Sequence, residues 1–448
     1  MATTTPSRID NRSSRSLTRR QARFAFIVLL AINILNYADR SVLAAVQTKI
    51  QPEFHLSDTQ LGLLASSFLF IYGLSTLPLG VWADKSTRKT IVAICVGIWS
   101  IATTLAGFTI NFIQLFLARS ILGIGEAGYA PASLSMIGDY FPKEVRGRIL
   151  ALWSMGNILG TAIGQVLGGL VAVTLGWRWA FYLVGIPGLI AAFLIWRAVE
   201  PQRGIYDRGE ETADEVAIAG HGSMGNGLGD IMRAARRLVK IPTYWVLIGA
   251  FIASFFTIGA AMAWINTYIV RDFRISEGQA GLLTGGTLAI GSIIGILIGG
   301  WVADYLQRRM PQGRLLISTI SFLAGSPLTF LALSMRDLVP FALIFTVAII
   351  SLSLCLGPLN AVIQDIVEPE IRATAVGIVL LVAHLLGDAA SPIIIGWISS
   401  HSSLGFAFIT TAPVCLLIAG LICLFGLRTV AHDMQAMQQR IHDSHSDH

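Results

Sequence analysis

The chain has 448 residues, of which 54% are hydrophobic and only 13% are charged. Soluble domains average about 45–50% apolar and about 25% charged residues, so this composition argues against a soluble protein. The formal net charge of +6 is small for a chain of this length.

Apolar runs of about twenty residues or more follow one another along the chain, and each could cross about 30 Å of hydrocarbon as a helix. They lack the period-two alternation of membrane β-strands. We therefore predict an all-α polytopic membrane protein with twelve transmembrane helices. The predicted spans, numbered 1 to 12, cover residues 24–46, 58–82, 90–109, 112–139, 149–174, 180–197, 244–270, 278–302, 315–335, 339–364, 373–398 and 405–427.

Basic residues are distributed unevenly between the two sides of the predicted bundle. Of the 32 Lys and Arg residues, 25 lie on the side of the N terminus, five lie on the other side, and Arg40 and Arg119 lie within spans. Such an excess marks the cytoplasmic side, so both termini are predicted to be cytoplasmic. We expect a multi-pass protein of a bacterial inner (plasma) membrane.

Five regions are predicted along the chain. The third of them, a cytoplasmic linker over 198–242, is expected to end in a basic helical stretch next to the inner leaflet. The regions are a tail over 1–23, a six-helix bundle over 24–197, a cytoplasmic linker over 198–242, a second six-helix bundle over 243–427 and a tail over 428–448, whose last residues are expected to be disordered.

Span 1 contains Asn36-Tyr37-Ala38-Asp39-Arg40, which puts an acid and a base side by side inside the bilayer. Each such charge costs roughly 2.5–3.5 kcal/mol at a helix centre on insertion scales, so these residues are rare and usually functional. Span 4 holds Arg119 and Glu126, which lie on nearly one helix face because they are seven residues apart.

Asp39 and Arg119 lie at matching depths below the outer ends of their spans, so the two side chains can pair. We hypothesise a network of Asp39, Arg40, Arg119 and Glu126 in which Asp39 or Glu126 takes up a proton. A conformational change that exchanges the partners would couple protonation to access. The alternative is a static buried pair that serves helix packing.

The linker separates two halves of six spans, and three short segments of the first half recur in the second at spacings of 219 to 226 residues. Such a repeat indicates two related bundles with a site between them near the midplane. The matching segments are 56–64 and 275–283, 80–84 and 300–304, and 143–146 and 369–372.

Several of these motifs resemble those of the major facilitator superfamily. The segment Gly80–Lys89, echoed by Gly300–Arg309, resembles its cytoplasmic loop motif, and Arg119–Ala127 resembles its span 4 motif. The glycines of span 5 resemble its span 5 motif, although Gln165 stands where antiporters commonly have Gly-Pro. The resemblance covers all twelve spans and implies two six-helix bundles with spans 1, 4, 7 and 10 around a cavity.

Within the superfamily, the Asn-Tyr-Ala-Asp-Arg string of span 1, together with Glu126, resembles the spinster branch. This resemblance implies a proton-coupled secondary active transporter of lysolipid or sphingolipid type amphiphiles, working by alternating access. Organic-anion symporters can carry a similar string. A proton-coupled transporter of a small organic anion or drug is therefore the alternative.

The loop motif implies a latch at the cytoplasmic face, because in the superfamily this loop stabilises the outward-facing state. In each copy an Asp and an Arg stand four residues apart and can hold helix ends together. Surface charge of little energetic weight is the alternative. The predicted cytoplasmic gate consists of Asp84, Arg88, Arg146, Asp304, Arg308 and Arg372.

Glycines recur at every fourth residue in two spans, which allows helix backbones to approach closely. Because the resemblance places spans 5 and 8 together between the halves, we interpret these rows as a sliding interface. Plain helix packing is the alternative. The rows are Gly156, Gly160, Gly164 and Gly168 in span 5 and Gly291, Gly295 and Gly299 in span 8.

The C-terminal half differs because predicted spans 7 to 10 contain aromatic residues but no charged ones. In the superfamily fold, the cavity would then be charged on one wall and apolar on the other, which suits an amphiphile. Aromatic residues that face lipid or core are the alternative. The predicted cavity residues are Asn36, Tyr37, Tyr129, Phe255, Trp264, Asn266 and Asn360.

Span 11 contains His384 and Asp388, four residues apart near its middle. A possible second titrating site is one interpretation. The other is a structural hydrogen bond with Asp388 at the cavity mouth.

The sequence predicts that the protein is not an enzyme. It lacks zinc-protease and hydrolase motifs, and its two matches to a dinucleotide-binding glycine pattern neither follow a strand nor open a βαβ unit. We expect no cofactor, no metal and no nucleic-acid partner. The expected partners of a monomeric protein are protons, membrane lipids and a small-molecule or lipid substrate.

Overall fold

The computed structural model describes residues 18–202, 206 and 228–446. The first 17 residues, most of the predicted linker from 203 to 227 and the last two residues lie outside the described part. Span 1 begins earlier than predicted, at Arg19, because Thr18 caps the helix by accepting a hydrogen bond from the Gln21 backbone N–H.

Helices stand at each of the twelve predicted positions, and ten helical segments of the described residues are long and apolar enough to cross a membrane. Spans 4, 10 and 11 are interrupted. The helices are Arg19–Phe54 (span 1), Asp58–Lys85 (2), Arg88–Ala106 (3), Phe112–Ala127 and Tyr129–Tyr140 (4), Lys143–Thr174 (5), Trp177–Arg197 (6), Pro242–Phe273 (7), Glu277–Gln307 (8), Gly313–Leu333 (9), Leu338–Ser353 and Leu356–Ile366 (10), Arg372–Ala383 and Ser391–His401 (11) and Leu404–Gly426 (12).

Two further helices lie beyond the spans. Leu228–Leu238 occupies the basic end of the predicted linker, and Val430–Ser446 occupies the predicted C-terminal tail. The tail is therefore helical through 446, which differs from the expected disordered end. It is attached to span 7, because the buried Asp433 accepts a hydrogen bond of 2.9 Å from the Thr243 backbone N–H.

The repeat is visible in how spans 2 and 8 begin. Ser57 and Ser276 each form a capping box. The serine hydroxyl accepts a hydrogen bond from the backbone N–H of the Gln three residues later, and the side chain of that Gln accepts a hydrogen bond from the serine backbone N–H. Both helices then open with an acid, Asp58 in span 2 and Glu277 in span 8. The two halves therefore start these spans with the same local structure.

Buried apolar residues join the two halves at one end of the molecule. At the end where spans 1 and 2 connect, called the outer end here, one core contains Val46 and Leu61 of the first half together with Trp264 and Ile269 of the second. The opposite end has separate cores, one within residues 22–198 and one within 238–430. The halves are thus packed together at the outer end.

The glycine row of span 5 packs against span 1 rather than against span 8, contrary to the prediction. A Cβ at Gly164 would lie 2.7 Å from the Ala38 Cα and closer still to its carbonyl oxygen. This close approach fixes the part of span 1 that carries Asp39. The row at 291–299 of span 8 likewise packs against 346–354 of span 10.

Spans 5 and 8 do contact each other across the two halves, but through different glycines near the outer end. Cβ atoms at Gly169 and Gly281 would meet the carbonyl oxygens of Glu277 and Gln165, respectively. Gly62 of span 2 approaches the backbone of span 11 in the same way. The interface between the halves therefore depends on glycines outside the two predicted rows.

We predict that Gly164→Ala destabilises the protein, because its methyl group would overlap the Ala38 backbone. Overpacking of this kind typically costs about 1–3 kcal/mol. Thermal unfolding of the purified protein in detergent would report a lower midpoint. Gly97→Ala is the matched control, because a Cβ at Gly97 meets nothing within 4 Å. Equal midpoints for the two variants would contradict the packing described here.

Candidate functional site

A cavity of about 560 Å³ lies between the halves, next to the packed outer end. Most of its lining is aliphatic or aromatic, and its charged or ionisable side chains include Arg40 of span 1 and His384 and Asp388 of span 11. Small-molecule sites are usually cavities of about 300–1,000 Å³ with apolar walls and a few polar groups. This cavity has both properties.

The structure brings two of the seven predicted cavity residues, Tyr37 and Phe255, to this cavity. The other five do not line it, and each of them makes a hydrogen bond to another residue. Trp264 donates to the Pro392 carbonyl at 3.1 Å, for example, and Asn266 donates to the Ala45 carbonyl at 3.3 Å. The five residues are Asn36, Tyr129, Trp264, Asn266 and Asn360.

A hydrogen-bonded chain connects the cavity to the interior of the first half. Asn157 lines the cavity, and its Oδ1 accepts from Asn33 Nδ2 at 2.7 Å. Asn33 Oδ1 in turn accepts from the Tyr129 hydroxyl at 2.8 Å. Asn33 and Asn157 were not among the predicted site residues, although an isolated amide within an apolar span is a recognisable signal.

Arg40 and Glu126 form an ion pair at the cavity wall. Arg40 Nε donates to Glu126 Oε2 at 2.7 Å, and the Glu126 side chain is fully buried whereas 16% of the Arg40 side chain is exposed. The guanidinium carbon also lies 5.0, 5.1 and 4.8 Å from the ring centroids of Tyr37, Phe68 and Tyr72. These aromatic faces stabilise the cation where water is scarce.

Asp39 and Arg119 form a second pair that is buried behind the cavity. Arg119 Nη1 lies 3.6 Å from Asp39 Oδ1, and the Thr103 hydroxyl donates to the other carboxylate oxygen. Phe68 lies against both arginines, with its centroid 5.4 Å from the Arg119 guanidinium. The four residues of the hypothesised network are therefore divided into one pair at the cavity and one pair behind it.

Both pairs leave hydrogen-bonding capacity unused. Within the described part of the chain, no hydrogen bond reaches Asp39 Oδ1, Glu126 Oε1, or Arg119 Nε and Nη1. A buried polar atom without a partner costs about 1–3 kcal/mol. A rearrangement that gives these atoms partners would recover part of that cost.

Span 11 contributes an acid and a histidine to the opposite wall. His384 Nδ1 lies 2.9 Å from Asp388 Oδ2, within a π-helical turn over His384–Asp388. The histidine ring packs at 5.0 Å from Phe255 and 6.2 Å from Tyr72. The prediction of one charged and one apolar wall is therefore incomplete, because the C-terminal half also carries charge.

At the end opposite the outer end, Arg88 pairs with residues of its own half. The buried guanidinium contacts Asp139 and lies 3.0 Å from Glu200. The side chain of Asp84 lies outside the described part of the structure. Arg146 stands half-buried at the start of span 5.

The second half has an equivalent of Arg88, but it is Arg314 rather than the predicted Arg308. Arg314 lies 2.7 Å from Asp365, and these two residues follow Arg88 and Asp139 by the same 226 positions. Arg314 also lies 3.4 Å from Asp304, whereas Arg308 is exposed.

Arg372, the last member of the predicted gate, donates to the Val367 carbonyl at 3.1 Å within its own half. The pairs described here thus hold helix ends within each half. A role for these residues in gating stays a prediction.

The outer end is closed by two reciprocal ion pairs that the sequence analysis missed. Asp58 of span 2 pairs with Arg271 of span 7 through two contacts of 2.8 and 2.9 Å. Glu277 of span 8 pairs with Lys49 of span 1 at 3.2 Å. Each half therefore supplies one base and the first-turn acid of its capped helix. The repeat of segment 56–64 at 275–283 was the sequence signal that could have identified these two acids.

Comparison with known proteins identifies the relatives of this fold and site. A family model described as Major Facilitator Superfamily matches residues 29–392 and 271–440. Protein spinster homolog 1 of Xenopus tropicalis is 30% identical over 401 residues, which cover 85% of this chain and 73% of the relative. Protein spinster homolog 3 of Homo sapiens is 31% identical over 414 residues, with 87% and 77% covered.

Solved structures are similar over nearly the whole chain. One is the crystal structure of a bacterial homolog to the human lysosomal transporter spinster in an inward-facing and unoccupied conformation. It has a TM-score of 0.77 and 25% identity, with 94% of this chain and 98% of that chain covered. The inward-facing and occupied conformation has a TM-score of 0.75 at 25% identity, with 92% and 97% covered.

We predict that Asp58→Asn opens the outer end, because it removes the charge that holds Arg271. Hydrogen bonds to charged groups contribute about 1.5–3 kcal/mol, so the open population should rise roughly tenfold or more. A membrane-impermeant thiol reagent applied from the outer side would then label an Ala65→Cys reporter, which lines the cavity, correspondingly faster.

Glu53→Gln is the control for this experiment. Glu53 pairs with Arg178 at 2.8 Å, but both residues belong to the first half. Loss of the Glu53–Arg178 ion pair should therefore leave the labelling rate unchanged. A similar rate increase in both variants would show that the Asp58–Arg271 pair has no special part in closure.

Proposed function

Because the chain belongs to the major facilitator superfamily and, within it, to the spinster family, we propose that it moves a lipid-like amphiphile by proton-coupled alternating access. Membership of this family makes it a multi-pass integral membrane protein and a secondary transporter, not an enzyme. The substrate, the coupling ion and the geometry of access are parts of the proposal.

The proposed architecture has twelve membrane-crossing spans in two six-helix bundles, with both termini cytoplasmic, in a plasma membrane. The helices at all predicted positions and the excess of basic residues at the N-terminal side support this arrangement. The shared core and the two ion pairs at the outer end support an inward-facing state. The two related crystal structures are also described as inward-facing.

The cavity lining is the observation that carries the substrate proposal. Arg40 presents a partly exposed cation among apolar side chains that include Leu288, Ile296 and Phe345. An anionic group of a substrate would pair with Arg40, and an alkyl chain would lie along the apolar side chains of spans 8 and 10. Burial of that chain would contribute about 0.8 kcal/mol per methylene group.

Glu126 is the residue that we propose for proton coupling. Its pair with Arg40 lies at the cavity wall, whereas Asp39 is held by Arg119 and Thr103 behind it. A proton on Glu126 would cancel the charge that holds Arg40, and Arg40 would become available to a substrate anion or to another acid. The Glu126 carboxylate and the substrate anion would then compete for one cation, so proton uptake by Glu126 would favour substrate binding, which couples the two.

We predict that Glu126→Gln abolishes uptake driven by a pH gradient in proteoliposomes, because the amide cannot take up the proton. Exchange of substrate without a gradient should persist. Glu144→Gln is the control, because Glu144 is exposed at the start of span 5. Undiminished gradient-driven uptake by Glu126→Gln would rule out this residue as the coupling group.

A ligand panel separates the amphiphile from a small anion or drug. We predict that lysolipids raise the thermal unfolding midpoint of the purified protein by several degrees, because their chains bury apolar surface in the cavity. Matched organic acids that lack an alkyl chain should have little effect. Stabilisation by the organic acids alone would replace the amphiphile with the alternative substrate class.

A further inference from the structure

We propose that Trp301, Tyr305 and Arg309 form a surface site for the headgroup of an anionic phospholipid of the surrounding bilayer. The three residues lie where span 8 ends, opposite the outer end of the molecule. None of them lines the cavity. The proposal is therefore independent of the transported substrate and of the coupling ion, and its ligand is a bound lipid rather than a transported one.

The exposed face of span 8 is apolar up to the proposed site. Ile290, Ile294 and Leu297 are exposed and follow one another at spacings of four and three residues, which places them on one helix face. Trp301 and Tyr305 continue that face at spacings of four residues, and 73% and 45% of their surfaces are exposed. Since the chain is an integral membrane protein, this face contacts lipid.

The three side chains of the site stack on one another. The ring centroids of Trp301 and Tyr305 lie 6.1 Å apart, and the planes of the two rings differ by only 16°. The guanidinium carbon of Arg309 lies 4.4 Å from the centroid of the Tyr305 ring. A guanidinium that stacks on an aromatic face keeps its N–H donors available at its edge. The stack therefore holds a cation in a defined place on the exposed surface.

The polarity along this face follows that of a phospholipid. Alkyl side chains are followed by an indole, a phenol and a guanidinium, and about 12 Å of helix separates Trp301 from Arg309. Acyl chains would lie along Ile294 and Leu297, and the ester region would lie beside the two rings, whose N–H and O–H groups suit the membrane interface. The phosphate would accept hydrogen bonds from Arg309, because a guanidinium binds phosphate oxygens in a bidentate way.

The charge of Arg309 is not used by the protein itself. In the part of the chain that the structure describes, no carboxylate pairs with Arg309 or with Arg308, which is exposed beside it. The nearby Asp304 lies 3.4 Å from Arg314, so the negative charge of this acid is compensated. An anionic headgroup would thus meet two arginines that lack an acidic partner.

The first half lacks this stack at the equivalent positions. Val81, Lys85 and Lys89 precede the three residues of the site by 220 positions, which is the spacing of the repeat at this motif. Lys89 donates instead to the Ala198 carbonyl at 2.9 Å. The shared scaffold therefore does not require an aromatic stack here, and we expect the site in the second half alone.

The test measures binding of phosphatidylglycerol and phosphatidylcholine with identical acyl chains to the purified full-length protein, by native mass spectrometry from one detergent. The wild-type protein should retain phosphatidylglycerol more strongly, because phosphatidylcholine carries an ammonium group that compensates its phosphate. Arg309→Gln should weaken phosphatidylglycerol binding by about fivefold and leave phosphatidylcholine binding unchanged. Tyr305→Leu should weaken it in the same direction, because the ring that holds the guanidinium is lost.

Arg428→Gln is the matched control. Arg428 is exposed after span 12, at the same end of the molecule, and no aromatic ring of the described residues stacks on it. This variant removes the same charge, so it should leave phosphatidylglycerol binding unchanged if the site is specific. Equal thermal unfolding midpoints of the variants in lipid-free detergent would show that all of them are folded.

Several results would overturn the site. These are equal binding of the two lipids by the wild-type protein, unchanged phosphatidylglycerol binding in Arg309→Gln, or an equal loss in Arg428→Gln, which would indicate diffuse attraction to a basic surface. Displacement of phosphatidylglycerol by an equal concentration of glycerol phosphate would identify a site for free anions instead. A concentration-dependent dimer that is lost in Arg309→Gln would identify a second copy of the chain as the occupant.

Discussion

The cost of placing charge in hydrocarbon is the constraint on which the first half of this molecule depends. Four ionisable side chains share a small volume, and each acid has an arginine within reach. Glycines let span 5 approach span 1 closely behind Asp39, and Phe68 lies against both arginines. Because several buried polar atoms there lack hydrogen-bond partners, the packing around the network holds these side chains in place rather than a complete set of hydrogen bonds.

The closed outer end shows how an internal repeat becomes an interface. The capped starts of spans 2 and 8 are copies of one segment, and each presents its first acid to a base of the other half. Close glycine contacts between spans 5 and 8 and between spans 2 and 11 lie at the same level. The ion pairs, the close backbone contacts and the shared apolar core together hold the two halves at this end.

The two halves share a scaffold and differ in the chemistry that they bring to the cavity. Arg88–Asp139 and Arg314–Asp365 are equivalent pairs, and each connects helices of its own half at the end opposite the outer end. The cavity walls are not equivalent, because the first half presents an arginine and the second an aspartate–histidine pair. The cavity therefore has a cationic and an acidic side chain on walls that belong to different halves.

The sequence alone determined where the long apolar helices lie, the internal repeat, the family, and the pairing of Asp39 with Arg119. These follow from length, hydropathy and spacing along each helix. Only the tertiary structure decided which glycines face which helix and that Arg88 binds Asp139 and Glu200. It also decided that Trp264 and Asn266 serve helix packing, whereas Asn157 and Asp388 line the cavity. The physical reason is that lipid and protein interior are both apolar, so the sequence pattern of a spanning helix does not fix its rotation about its own axis.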